Sequence, residues 1–76
     1  VSVGSTIYVA ATLDGQAVVY RFRPTLDDYP TVAYRADATT SSAFDLKRGV
    51  DDALHFVWVE RRDGAQVTTV DVLTPR

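Results

Sequence analysis

Apolar and polar residues alternate most clearly in two stretches, each broken by Asp-Gly. The first runs Thr6-Ile7-Tyr8-Val9-Ala10-Ala11-Thr12-Leu13, then Asp14-Gly15, then Gln16-Ala17-Val18-Val19-Tyr20-Arg21-Phe22-Arg23. Both positions of a two-residue type I′ turn need φ > 0, and Asp-Gly between β-rich runs meets that need. Such a turn pairs Leu13 with Gln16, Ala11 with Val18, Val9 with Tyr20 and Ile7 with Phe22. These residues share one face and make a coherent apolar surface. Tyr8, Ala10 and Thr12 lie on the other face, opposite Arg21, Val19 and Ala17.

The second stretch runs from Leu54 to Arg62, turns at Asp63-Gly64, and returns from Ala65 to Leu73. The same pairing sets His55, Val57 and Val59 against Val72, Val70 and Thr68. On the opposite face Phe56, Trp58 and Glu60 meet Asp71, Thr69 and Val67. Neither face is purely polar, so the 54–62 strand is predicted to be central and covered on both sides. In so short a chain the second cover is expected from another module or subunit. The two hairpins share an outline, which reflects either an internal repeat or the turn chemistry they have in common.

Between the hairpins the pattern loosens. Pro24 and Pro30 block a ladder across 24–30 and mark a turn, and Pro30 stops any helical turn begun at Leu26-Asp27-Asp28. Thr31 to Arg35 reads as a short strand, Asp37 to Thr40 as a turn, and Ser41 to Lys47 as a further strand. No segment combines helix caps with a 3.6-residue period. The fold expected is therefore all-β, one domain over residues 1–76. It is an antiparallel meander of five or six strands, forming a small sandwich, a partly open barrel or a propeller-blade-like sheet. The strand starting near Gln66, with Thr68, Thr69 and Asp71, reads as an edge.

Composition narrows what such a sheet can do. A domain of 76 residues buries only about 60% of the surface its unfolded chain exposes, so it gains from outside help. Cysteine is absent and His55 is the single histidine, so disulfides, thiol chemistry and a structural zinc set have no ligands. Association with other chains remains as the source of extra burial. A net charge of −2 and a pI near 5.0 lack the basic footprint of a general nucleic-acid binder. The acids are nearly all Asp, which favours turns over helices. The start, Val1-Ser2-Val3-Gly4, reads as that of a processed or excised domain. The apolar runs are too short for a membrane-spanning helix, and a soluble chain is expected.

Chemical motifs are sparse. His55 is the one side chain that titrates near neutrality unperturbed, and it lies inside a strand, where packing is its expected role. Ser41 and Ser42 sit in a flexible Thr-Ser run with no nucleophile-elbow pattern. Asp27-Asp28 and Asp51-Asp52 lack the spacing of a calcium loop and read as solvated turn carboxylates. The four glycines stand apart, so there is no phosphate loop. Tyr20-Arg21-Phe22-Arg23 mixes rings with cations, but alternation puts Tyr20 and Phe22 on an expected core face and the arginines on an outer one. A stacking platform needs them together.

The run Gly49-Val50-Asp51-Asp52-Ala53-Leu54-His55-Phe56-Val57-Trp58-Val59-Glu60-Arg61-Arg62-Asp63-Gly64 resembles a recurrent segment of phage tail tubular (nozzle) proteins. Ile7-Tyr8-Val9 through Asp14-Gly15 into Val19-Tyr20-Arg21-Phe22 resembles the preceding hairpin of the same β-propeller blade, and Val32-Ala33-Tyr34-Arg35 its next short strand. The resemblance implies a virion structural role, with rigid β modules lining or buttressing a DNA-ejection channel. One blade cannot close a propeller, so it also implies an excised piece, a stand-alone module, or one that assembles with its own copies. It brings no catalytic residues.

These readings converge on a non-enzymatic structural or assembly module, expected in a virion or phage tail, whose partners are other protein chains or copies of itself. No cofactor, metal or membrane contact is expected. Phe56, Trp58, Tyr8 and Tyr34 are the candidate interface residues. The alternative is a small binding domain that presents Trp58, Phe56 and nearby tyrosines to a carbohydrate or peptide, against which stands the favoured reading of Trp58 as simple core.

Overall fold

A computed structural model describes residues 1–26, 29–38 and 40–75. The architecture is all-β and antiparallel, as expected. Seven strands are formed: β1 (Ser2–Val3), β2 (Thr6–Leu13), β3 (Gln16–Phe22), β4 (Thr31–Arg35), β5 (Ser41–Arg48), β6 (Leu54–Arg62) and β7 (Ala65–Leu73). They make two meanders, a four-stranded sheet in the order β1-β2-β3-β4 and a three-stranded sheet in the order β5-β6-β7. The two-residue β1 carries the count beyond five or six. Single 3-10 turns at Pro24–Leu26 and Val50–Asp52 are the only helical pieces among the described residues. The paired Asp27 and Asp28 lie outside the described residues.

Both hairpins have the register that their turns dictate. Leu13 pairs with Gln16 and Ile7 with Phe22, while Arg62 pairs with Ala65 and Leu54 with Leu73. All four turn residues take left-handed backbone, with φ of 51° and 78° at Asp14-Gly15 and 53° and 77° at Asp63-Gly64. β6 is central in its sheet and β7 is an edge.

The two sheets pack face to face. Their thinnest Cα extent is 15 Å, which fits two layers roughly 10 Å apart. The shared core holds Tyr8, Ala17 and Val19 from the first sheet, Leu54, Phe56 and Trp58 from the second, and Ala36 between them. Val3, Ala10, Tyr34, Ala43, Leu46 and Leu73 pack around it. Large and small residues interdigitate here. Alanines at 10, 17, 36 and 43 leave room for Tyr8, Phe56 and Trp58, as dense packing of two sheets requires.

This choice of face corrects one expectation. The Ile7, Val9, Tyr20 and Phe22 surface, with the more uniformly apolar pattern, is the outer face. Tyr20 and Phe22 are half-buried there, Val9 is 43% exposed, and the core uses the Tyr8–Val19 side instead. Arg21 shares the side of Tyr8 but stays exposed.

The connection between the sheets is tied to the turn end of the first hairpin. The Ala36 N–H donates to the Ala17 carbonyl and the Ser41 N–H to the Gly15 carbonyl, each at 2.8 Å. The Ala17 N–H in turn donates to Ser41 Oγ at 2.8 Å, and the Ala43 N–H to Thr12 Oγ1 at 3.1 Å. Ser41 is therefore a buried, ordered strand residue and not part of a flexible run. Its hydroxyl does the work of a backbone acceptor at the seam.

Candidate functional site

Three of the four candidate interface residues are consumed inside the molecule. Phe56 is fully buried, and Trp58 and Tyr8 are 5% and 4% exposed. Their place is the seam between the sheets, because alternation along β6 sends Phe56 and Trp58 to the same side as Leu54. They offer no outer surface, so Trp58 is core, in line with its favoured reading, and the choice of Trp58, Phe56 and Tyr8 as interface residues is corrected. Tyr34 alone reaches solvent. Its ring lies 5.9 Å from Phe56 and 5.8 Å from Trp58, and those two are 5.3 Å apart, so the three form one aromatic cluster.

Tyr34 opens onto a shallow cleft of about 220 Å³, whose lining includes Trp58, Glu60, Arg62, Thr69 and Asp71. Glu60 is the buried charge of this region, 3% exposed. Its Oε1 accepts from Thr69 Oγ1 at 2.6 Å and from Trp58 Nε1 at 3.3 Å, and its Oε2 accepts from Arg62 at 3.0 Å. The Thr69 hydrogen bond is the largest influence holding its carboxyl below the ordinary value of 4.5. Burial opposes it, and Arg62 and Trp58 reinforce it. The Tyr34 hydroxyl donates to Asp71 Oδ2 at 2.6 Å. Burial first, then this bond, then the nearby carboxylates push the Tyr34 phenol up from its ordinary 10.0. These polar groups are spent on one another.

Sequence reasoning placed Glu60 and Thr69 on the Trp58 face but saw no role for them. The available signal was a carboxylate two residues after Trp58, with a threonine across the strand from the ring.

The remaining chemical candidates lie apart. His55 is exposed on the outer face of the second sheet, its ring lying over Gly49, where an added Cβ would come within 2.6 Å of Nε2. Asp51 and Asp52 both take left-handed backbone, and Asp52 faces Arg48 at 3.9 Å. Among the described residues, no three His, Cys, Asp or Glu gather where they could hold a metal. No helix among them is long and apolar enough to cross a membrane.

The outer faces are the larger surfaces. On the first sheet Ile7, Val9, Ala11, Leu13, Val18, Tyr20 and Phe22 share one side, and register adds Val32 beside Tyr20; Val9 and Val32 are exposed, Val18 is fully buried and the others are half-buried. On the second sheet Val57, Val59, Val70 and Val72 share the outer side with His55 and Thr68, and β5 adds Ser42, Asp45 and Lys47 beside them. Val70 and Val72 are 56% and 52% exposed. Comparison of the chain with protein-family models, with curated proteins and with solved structures found no match to any of them.

Proposed function

We propose that this chain is a non-enzymatic structural module that works by packing its sheet faces against other protein surfaces. The observation that carries this reading is the apolar character of the outward positions of β2, β3, β6 and β7 after the core has been filled, while β5 turns Ser42, Asp45 and Lys47 outward. A two-layer domain that ended its interactions at its own core would turn polar residues outward on each strand. Here valines alternate with the core residues of β6 and β7, and Ile7, Val9, Tyr20 and Phe22 do the same on β2 and β3. Contiguous apolar surface of this kind marks protein interaction sites. The resemblance to phage tail tubular proteins supplies the setting, a rigid β module in the wall or buttress of a virion channel.

Light scattering across a concentration series tests the assembly reading. A defined oligomer or a steady rise of mass with concentration supports it, and a monomer at every concentration that also binds no other particle component removes it. The virion setting has its own test, in antibodies against the chain that label, or fail to label, intact particles of the source virus.

The cleft supports a second reading, a binding domain for a carbohydrate or peptide. Tyr34 offers a half-exposed ring beside the carboxylates of Glu60 and Asp71. Titration of glycans and peptides against Trp58 fluorescence separates the two readings, since an occupied cleft perturbs the indole it borders.

A further inference from the structure

The two hairpins use opposite faces to build their common core. In the first, the pair that closes the turn, Leu13 and Gln16, lies on the outer side, and the core is made by the alternate residues Tyr8, Ala17 and Val19. In the second, the closing pair, Arg62 and Ala65, lies on the core side with Phe56 and Trp58. Two hairpins related by a two-fold axis would bury the same face, because an isologous contact matches a surface to itself. The packing of these sheets is instead heterologous: one kind of face meets the other kind.

The 49 positions that separate Asp14 from Asp63 carry one hairpin onto the other. Ile7 and Val9 then correspond to Phe56 and Trp58, which are buried in the core, yet Ile7 and Val9 themselves lie on the outer face. Likewise Tyr8 and Ala10, which pack into the core, correspond to Val57 and Val59 on the outer face of the second sheet. Each free face is thus the counterpart of a face that the molecule already buries. A heterologous contact leaves one unmatched face of each kind, and repeating its operator brings those two faces together.

We infer that copies of this chain associate head to tail, the Val57-Val59-Val70 face of one against the Ile7-Val9-Tyr20 face of the next. The inference rests on the assembly reading and names its partner as a second copy. Strands roughly 4.8 Å apart and about 25 Å long give each face roughly 400–500 Å². A pair of faces then buries about 1,000 Å² in total, the lower end for specific association. The contact is accordingly weak and concentration-dependent. Head-to-tail contacts either close into a ring or continue as a filament, so growth does not stop at a dimer unless two copies close the ring.

Val9→Lys blocks one face and Val70→Lys the other, at side chains 43% and 56% exposed, so each variant keeps its core. Circular dichroism and the emission of buried Trp58 confirm that each has folded. The expected result has three parts: wild type gains mass with concentration, each variant alone stays monomeric, and an equimolar mixture forms a 1:1 dimer that grows no further. The mixture pairs the intact face of one variant with the intact face of the other. If Val9→Lys abolishes association while Val70→Lys leaves it as in wild type, or the reverse, a face pairs with itself and the inference is overturned, though the assembly reading stands. Association unaffected by either substitution also overturns it. Wild type that stays monomeric throughout overturns it as well, and leaves the assembly reading to partners other than a second copy.

Discussion

The Tyr34 hydroxyl donates a 2.6 Å hydrogen bond to Asp71, joining the edge strand β4 of one sheet to the edge strand β7 of the other. No backbone ladder links those two strands, so the bond acts as a latch across the open side of the sandwich. Tyr34→Phe keeps the ring against Phe56 and Trp58 and removes the donor alone. The expected loss is about 1 kcal/mol, the usual net worth of one hydrogen bond, read as a lower urea midpoint at unchanged slope.

The same bond sets an alkaline limit. Folding raises the Tyr34 phenol above its ordinary 10.0, so its contribution is complete below that pH and is lost as pH rises toward the folded value. Wild type is therefore expected to lose stability above about pH 10 more steeply than Tyr34→Phe. Urea midpoints of both proteins on either side of that pH check it, and parallel curves would remove Tyr34 from the account.

Glu60 gives the acid counterpart. Its carboxyl is held below 4.5, chiefly by the Thr69 hydroxyl, so its contribution is present above 4.5 and lost as pH falls through the folded value. Thr69→Val removes the 2.6 Å bond. The substitution is expected to move the Glu60 titration toward the ordinary range and to start acid unfolding at higher pH. The carbon-13 shift of the Glu60 carboxyl against pH measures this directly.

Ser41 carries a larger share of stability than its sequence context suggests. Its buried hydroxyl accepts from the Ala17 N–H at 2.8 Å, and Ala17 is itself fully buried. Ser41→Ala leaves that donor without a partner, at a cost of about 1–3 kcal/mol. Faster amide exchange at Ala17 is the specific sign, beyond a lower thermal midpoint.

The turns can be tested without disturbing packing. A Cβ at Gly64 meets nothing within 4 Å, but the residue sits at φ +77°. Gly64→Ala therefore costs backbone strain alone, about 1–2 kcal/mol. Asp63→Asn is expected to be neutral, because asparagine tolerates the same left-handed turn position. Denaturation of both variants separates the two outcomes.

The hairpins and their registers were legible from the Asp-Gly turns alone, since a two-residue loop fixes every later pair. Which face points inward was not. Ile7, Val9, Tyr20 and Phe22 form the more apolar side, but Phe56 and Trp58 need small residues opposite them, and Ala10 and Ala17 on the other side supply the space. That complementarity belongs to two sheets at once and is invisible along either strand. Ser41 and the Tyr34–Asp71 latch were hidden for the same reason, each joining elements that only the packing of the sheets brings together. The burial of Trp58 follows from the face choice, and with it the aromatic surface expected for a ligand disappears into the core.

We propose that this chain meets other protein through its outer faces and not through the cleft at Tyr34. Amide spectra of the labelled protein recorded from dilute to concentrated solution test it most directly. Concentration-dependent shifts are expected at Val9 and Tyr20 and at Val57 and Val70, with Tyr34, Glu60 and Asp71 unmoved. Spectra that do not change with concentration, or changes centred on Tyr34 and Asp71, would contradict it.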